Sequence, residues 1–141
     1  MLYLKSVIVL LLVSIFVEVP AHKNDIRLQK KSPCAITFNP IYTAEQIIDE
    51  YILCLNDNPE ALKLQLEVSE KHNCTGSLKD KILCGIHNRD NLDESDYDKI
   101  AKVYVILPPE CINKLIIDDG GLTGRERIKE LYRCLGEALN I

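Results

Sequence analysis

From Thr43 onward, apolar residues return every three or four positions, the period of a helix with one buried face. Ile47, Ile48, Tyr51, Ile52 and Leu55 make the first such stripe, with Asp49 and Glu50 on the opposite side. Thr43-Ala-Glu-Gln46 in front of it reads as a capping box, the hydroxyl accepting from the N–H three residues on while the glutamine reaches back. Asn56 to Asn58 concentrates turn formers, and Pro59 then opens a second helix toward Lys71, with Asn58 as its expected cap. Within it Leu62, Leu64, Leu66 and Val68 alternate with polar residues, a strand signature taken alone. The helix-forming composition and the Ala61, Leu64, Val68 stripe carry the segment to a helix.

A third helix, capped by Ser77, carries Leu78, Ile82 and Ile86. A fourth carries Tyr97, Ile100, Ala101 and Tyr104, with Ser95 as its expected cap, and stops at Pro108-Pro109. A short fifth helix from Pro109 holds Cys111, Leu115 and Ile116. Asp118-Asp119-Gly120-Gly121 breaks the chain, and Thr123-Gly-Arg-Glu126 is a second capping box before Ile128, Leu131, Tyr132, Leu135 and Ala138. The expected fold is therefore all-α, a compact bundle of about five to six short helices.

Six cysteines change this picture: Cys34, Cys54, Cys74, Cys84, Cys111 and Cys134. An even number in a secreted chain implies three disulfides stapling the bundle, and the spacing leaves about fifteen pairings open. Secretion is read from residues 1–21, a short charged start, the apolar run Val7 to Val17, and Val19-Pro20-Ala21 at the positions a signal peptidase reads. The run is too short for a membrane span, which wants about 20 apolar residues. Residues 22–33 form a basic N-terminal arm, and 34–141 the disulfide-stapled helical domain. Lys30-Lys31 in the arm is a possible dibasic processing site that would start the mature chain at Ser32 instead of His22.

The net charge of −4 argues against nucleic acid or an anionic membrane as partner. Catalysis is not expected. The chain has no HExxH, no GxSxG and no phosphate-binding glycine loop, and its histidines, His22, His72 and His87, sit in no specific motif. The acidic patch Asp90, Asp93, Glu94, Asp96 and Asp98 lacks the register of a calcium loop and reads as acids on a helix N-terminus. Asn73-Cys74-Thr75 is an N-glycosylation sequon at Asn73, with a cysteine in its middle that a disulfide would compete for. Cleavage after Ala21 would leave His22 first, where amine and imidazole together can chelate copper. The apolar side chains exceed what one stripe per helix requires, so a ligand cavity is expected, with Ile48, Tyr51, Ile52, Leu64, Val68 and Tyr104 as lining candidates.

Cys54 through Cys111 resembles the microplusin-like and odorant-binding-like secreted proteins of ticks and other arachnids. The likeness lies in a cysteine closing an amphipathic helix, Pro59 soon after, Asn73-Cys74, Leu83-Cys84, and a long acidic-capped helix before Cys111. It implies a small α-helical disulfide protein, and on the microplusin side an antimicrobial role through copper sequestration. The chain departs from that pattern in having Cys134 instead of a further cysteine between Cys74 and Cys84, and in ending without a histidine cluster. The expected function is thus carriage of a small hydrophobic molecule, with copper sequestration, or action on a protein target as a venom or salivary component, as alternatives.

Overall fold

The computed structural model describes residues 33–141, so residues 1–21, expected to be a signal peptide, and the expected basic arm up to Ser32, with His22, lie outside the described residues. Six helices form where the apolar stripes fall: α1 (Ala44–Asn56), α2 (Pro59–Lys71), α3 (Leu78–His87), α4 (Glu94–Ile106), α5 (Pro109–Leu115) and α6 (Gly124–Leu139). A 3-10 turn, Arg89–Asn91, joins α3 to α4. Two short strands that the sequence pattern does not announce, β1 (Thr37–Phe38) and β2 (Ile116–Asp118), pair antiparallel. Ile116 accordingly opens β2 and does not lie on the fifth helix.

The helix starts follow local chemistry. Thr43 accepts from the N–H of Gln46, whose side chain accepts from the Thr43 N–H, and Ser77 and Asp80 repeat the exchange at α3. Three expected caps differ. The α4 cap is Asp93, not Ser95: Asp93 accepts from the Asp96 N–H and Asp96 returns the bond, because a carboxylate two residues earlier already meets the first free amides. Asn58 precedes α2 without capping it, its side-chain amide turning back to donate to the Cys54 carbonyl. Thr123 precedes α6 in extended conformation, but its side chain makes no cap bond.

The core gathers one face of each long helix. Ile47, Ile48, Tyr51 and Leu55 of α1, Ile82 and Ile86 of α3, Tyr97, Ile100 and Val103 of α4, and Ile128, Leu131, Tyr132 and Leu135 of α6 are all buried. Ala138, expected on that last stripe, is exposed. In α2 the innermost line is Ala61, Gln65, Val68 and Ser69, so the alternating leucines fall to either side of it, half-buried. Helix α2 packs along α4, and α4 along α6.

All six cysteines pair, among them the ends of the domain: Cys34 with Cys134, Cys54 with Cys111, and Cys74 with Cys84, at Cα separations of 5.7, 6.2 and 5.9 Å. The three loops nest within one another, spanning 100, 57 and 10 residues, so each staple closes a different level of the fold. The first ties β1's lead-in to α6, the second α1 to α5, the third the turn after α2 to α3. In the chain-entropy account the longest loop restricts the unfolded ensemble most. Among the described residues no helix is long and apolar enough to cross a membrane.

Candidate functional site

Where α1, α3, α5 and α6 meet, their apolar faces leave a narrow internal cavity of about 20 Å³. Ile47, Ile48 and Tyr51 of α1 form one wall, Ile82 and Ile86 of α3 a second, and Leu131, Tyr132 and Leu135 of α6 a third. Tyr104 of α4 and the Ile112, Leu115, Ile116 run complete it. Of the lining residues expected from sequence, Ile48, Tyr51 and Tyr104 meet here. Ile52, Leu64 and Val68 do not line this cavity: Val68 is buried in the α2 face, and Ile52 and Leu64 are half-buried. The stripes of α3 and α6 supplied the other walls. Periodicity shows which residues are buried, but not which stripes face one another.

Behind the Tyr51 wall lies a buried polar contact that the apolar pattern could not reveal. Gln65 is 2% exposed, and its side-chain oxygen accepts from the Tyr51 hydroxyl at 2.6 Å. Tyr51 and Tyr104 lie with ring centroids 5.6 Å apart, and Tyr97 meets Tyr132 edge-on at 6.1 Å. Burial, reinforced by the neighbouring phenols, holds the Tyr51 hydroxyl far above its ordinary pKa; burial likewise raises Tyr104, and pushes Tyr132 up to about 12. All three stay neutral at physiological pH. The lining is thus aliphatic carbon with three neutral tyrosine side chains, the composition of a site that takes an uncharged apolar guest.

A second hollow, of about 180 Å³, opens on the surface beside the cavity. Ile112 and Ile116 line both. Arg127 borders the outer hollow, its guanidinium carbon 5.5 Å from the centre of the Tyr104 ring.

The remaining candidates do not converge. His72 Nε2 is 2.8 Å from the buried Asp96 carboxylate, which also accepts from Lys71. His87 is exposed on α3. Four of the five acids in the patch are taken up in pairing: Asp93 and Asp96 cap α4 and hold Lys71, while Glu94 and Asp98 pair with Arg125. Among the described residues, the one cluster of His, Cys, Asp and Glu close enough to hold a metal is Cys34, Glu130 and Cys134, and its two sulfurs are joined in a disulfide. Asn73 is exposed in a left-handed turn at φ 57°, directly before the buried, disulfide-bonded Cys74.

No family model, no curated protein and no solved structure matches the chain. The likeness to microplusin-like and odorant-binding-like proteins therefore rests on cysteine spacing and local texture.

Proposed function

We propose that this is a secreted, non-enzymatic helical binding protein that carries a small hydrophobic molecule between α1, α3, α5 and α6. The observation behind this reading is the apolar cavity that the helices leave at their meeting point, which shares Ile112 and Ile116 as lining residues with a surface hollow. At about 20 Å³ the space holds about one water-sized guest. Ligand pockets run to roughly 300–1,000 Å³, so loading requires rotation of Ile112 and Ile116 and an outward shift of the short α5–β2 run. The three disulfides support such a role, because two brace the surrounding frame and Cys54–Cys111 pins the start of α5 to α1, leaving the rest of the run to move about that staple. They also fit an oxidising, extracellular setting.

The test is titration of the oxidised protein with the fluorescent apolar probe N-phenyl-1-naphthylamine. Saturable binding is expected, weakened at least tenfold by Ile48→Phe, which places added volume in the cavity from a side chain only 1% exposed. Absence of saturable binding to the wild-type chain overturns the proposal.

A further inference from the structure

Resting on the carrier reading, the geometry assigns Arg127 as the residue that selects the cargo, and the cargo as an uncharged apolar molecule with one hydrogen-bond acceptor at its end. Arg127 stands at the junction of the two spaces. It borders the outer hollow, and its guanidinium covers Tyr104, which lines the inner cavity. Its Nε–H is buried and, among the described residues, has no hydrogen-bond partner. Its terminal nitrogen reaches Asp119 only at 3.6 Å. A buried donor without an acceptor is costly, and an oxygen arriving on a guest removes that cost. Such an acceptor is therefore worth more here than in a site whose donors are already paired.

The sign of the guest's head follows from the neighbours. Asp118 and Asp119 line the same hollow, each fixed by a backbone amide, Asp118 by Gly120 and Asp119 by Gly121 at 2.8 and 3.1 Å. A carboxylate entering there meets two negative charges and one positive. A ketone, aldehyde, ester or ether oxygen accepts from Nε without that repulsion, while its chain passes Ile112 and Ile116 toward the neutral phenols inside.

The experiment is competitive displacement of N-phenyl-1-naphthylamine at pH 7.5 by nonane, 2-nonanone and nonanoate, on the oxidised wild type, Arg127→Leu and Arg127→Lys, with thermal melts to establish folding. In the wild type 2-nonanone is expected to bind about tenfold tighter than nonane, the worth of one hydrogen bond to a charged donor, and tighter than nonanoate. Arg127→Leu should bring the ketone-to-alkane ratio to about one with nonane affinity unchanged. Arg127→Lys keeps the charge but moves the donor, and should lose the preference too if the leucine variant does not fold. An unchanged ratio in a folded variant, or nonanoate binding tightest, overturns the assignment while leaving the carrier reading intact. Failure of all three compounds and of the probe itself to bind the wild type removes both.

Discussion

The Tyr51–Gln65 hydrogen bond ties a cavity-lining ring of α1 to the buried face of α2, and its removal one partner at a time has a calculable signature. Both partners are buried, 7% and 2% exposed, and the bond is 2.6 Å long. Tyr51→Phe deletes the donor and leaves the glutamine oxygen without it inside the core. Gln65→Leu deletes the acceptor and leaves the Tyr51 hydroxyl in the same position. Each single change should cost about 1–3 kcal/mol, the desolvation penalty of a stranded buried group, whereas Tyr51→Phe with Gln65→Leu replaces both partners with apolar groups and should cost little more than either alone. The expected coupling in the double-mutant cycle is about 1–2 kcal/mol. Urea unfolding of the four oxidised proteins, fitted with a common slope, measures it. Additive single effects, with coupling below about 0.3 kcal/mol, would refute the buried polar link, because independent sites add to within that margin.

Removing the disulfides pairwise to alanine should destabilise in the order of their loops: about 4.7 kcal/mol for Cys34–Cys134, about 4.2 for Cys54–Cys111 and about 2.7 for Cys74–Cys84 by chain entropy, read from non-reducing urea melts. Gly120 has φ +67°, and a Cβ there would lie 2.5 Å from the Ala35 carbonyl oxygen, so Gly120→Ala should cost at least about 1–2 kcal/mol; an unchanged melting temperature would contradict that contact. Acid should weaken the α2–α4 junction. Burial raises the Asp96 pKa, but bonds from the Asp93 amide, Lys71 and His72 outweigh it and hold it low, and the Lys71 bond holds Asp93 at about 2. Carboxylates depressed by folding stabilise the fold above their unfolded pKa of about 3.9. That contribution is lost as pH falls from there toward about 2, and Asp93→Asn, which keeps a capping side chain but loses the ion pair, should flatten this limb of a pH-dependent melt.

Much of the helical skeleton was legible because its signals are local. Thr43 with Gln46, Ser77 and Pro59 each act within one turn, and each starts a helix where expected. Local competition explains the misses. At α4 Ser95 has the chemistry of a cap, yet Asp93 reaches the free amides first. At α6 Thr123 has the right neighbours, but its side chain makes no cap bond. The two strands of two and three residues are too short to leave a period in the sequence. The cavity was harder still to read. Tyr51 and Tyr104 lie on predicted stripes, but their meeting depends on how helices cross, and Gln65, a polar residue on an inward line, looks from sequence like any solvated position. Disulfide pairing is likewise a fact of three-dimensional proximity; the nested order emerged only with the packing.

The central claim is that the space between the helices takes up a small apolar guest, and methyl-resolved NMR on the oxidised protein titrated with 2-nonanone tests it most directly. The account predicts saturable shifts at the methyls of Ile48, Ile82, Ile86 and Leu131, which line the cavity, and at Ile112 and Ile116, which line both it and the surface hollow. Saturable shifts confined to the surface methyls of Leu83, Leu139 and Ile141, or no saturable shift at all, would contradict it.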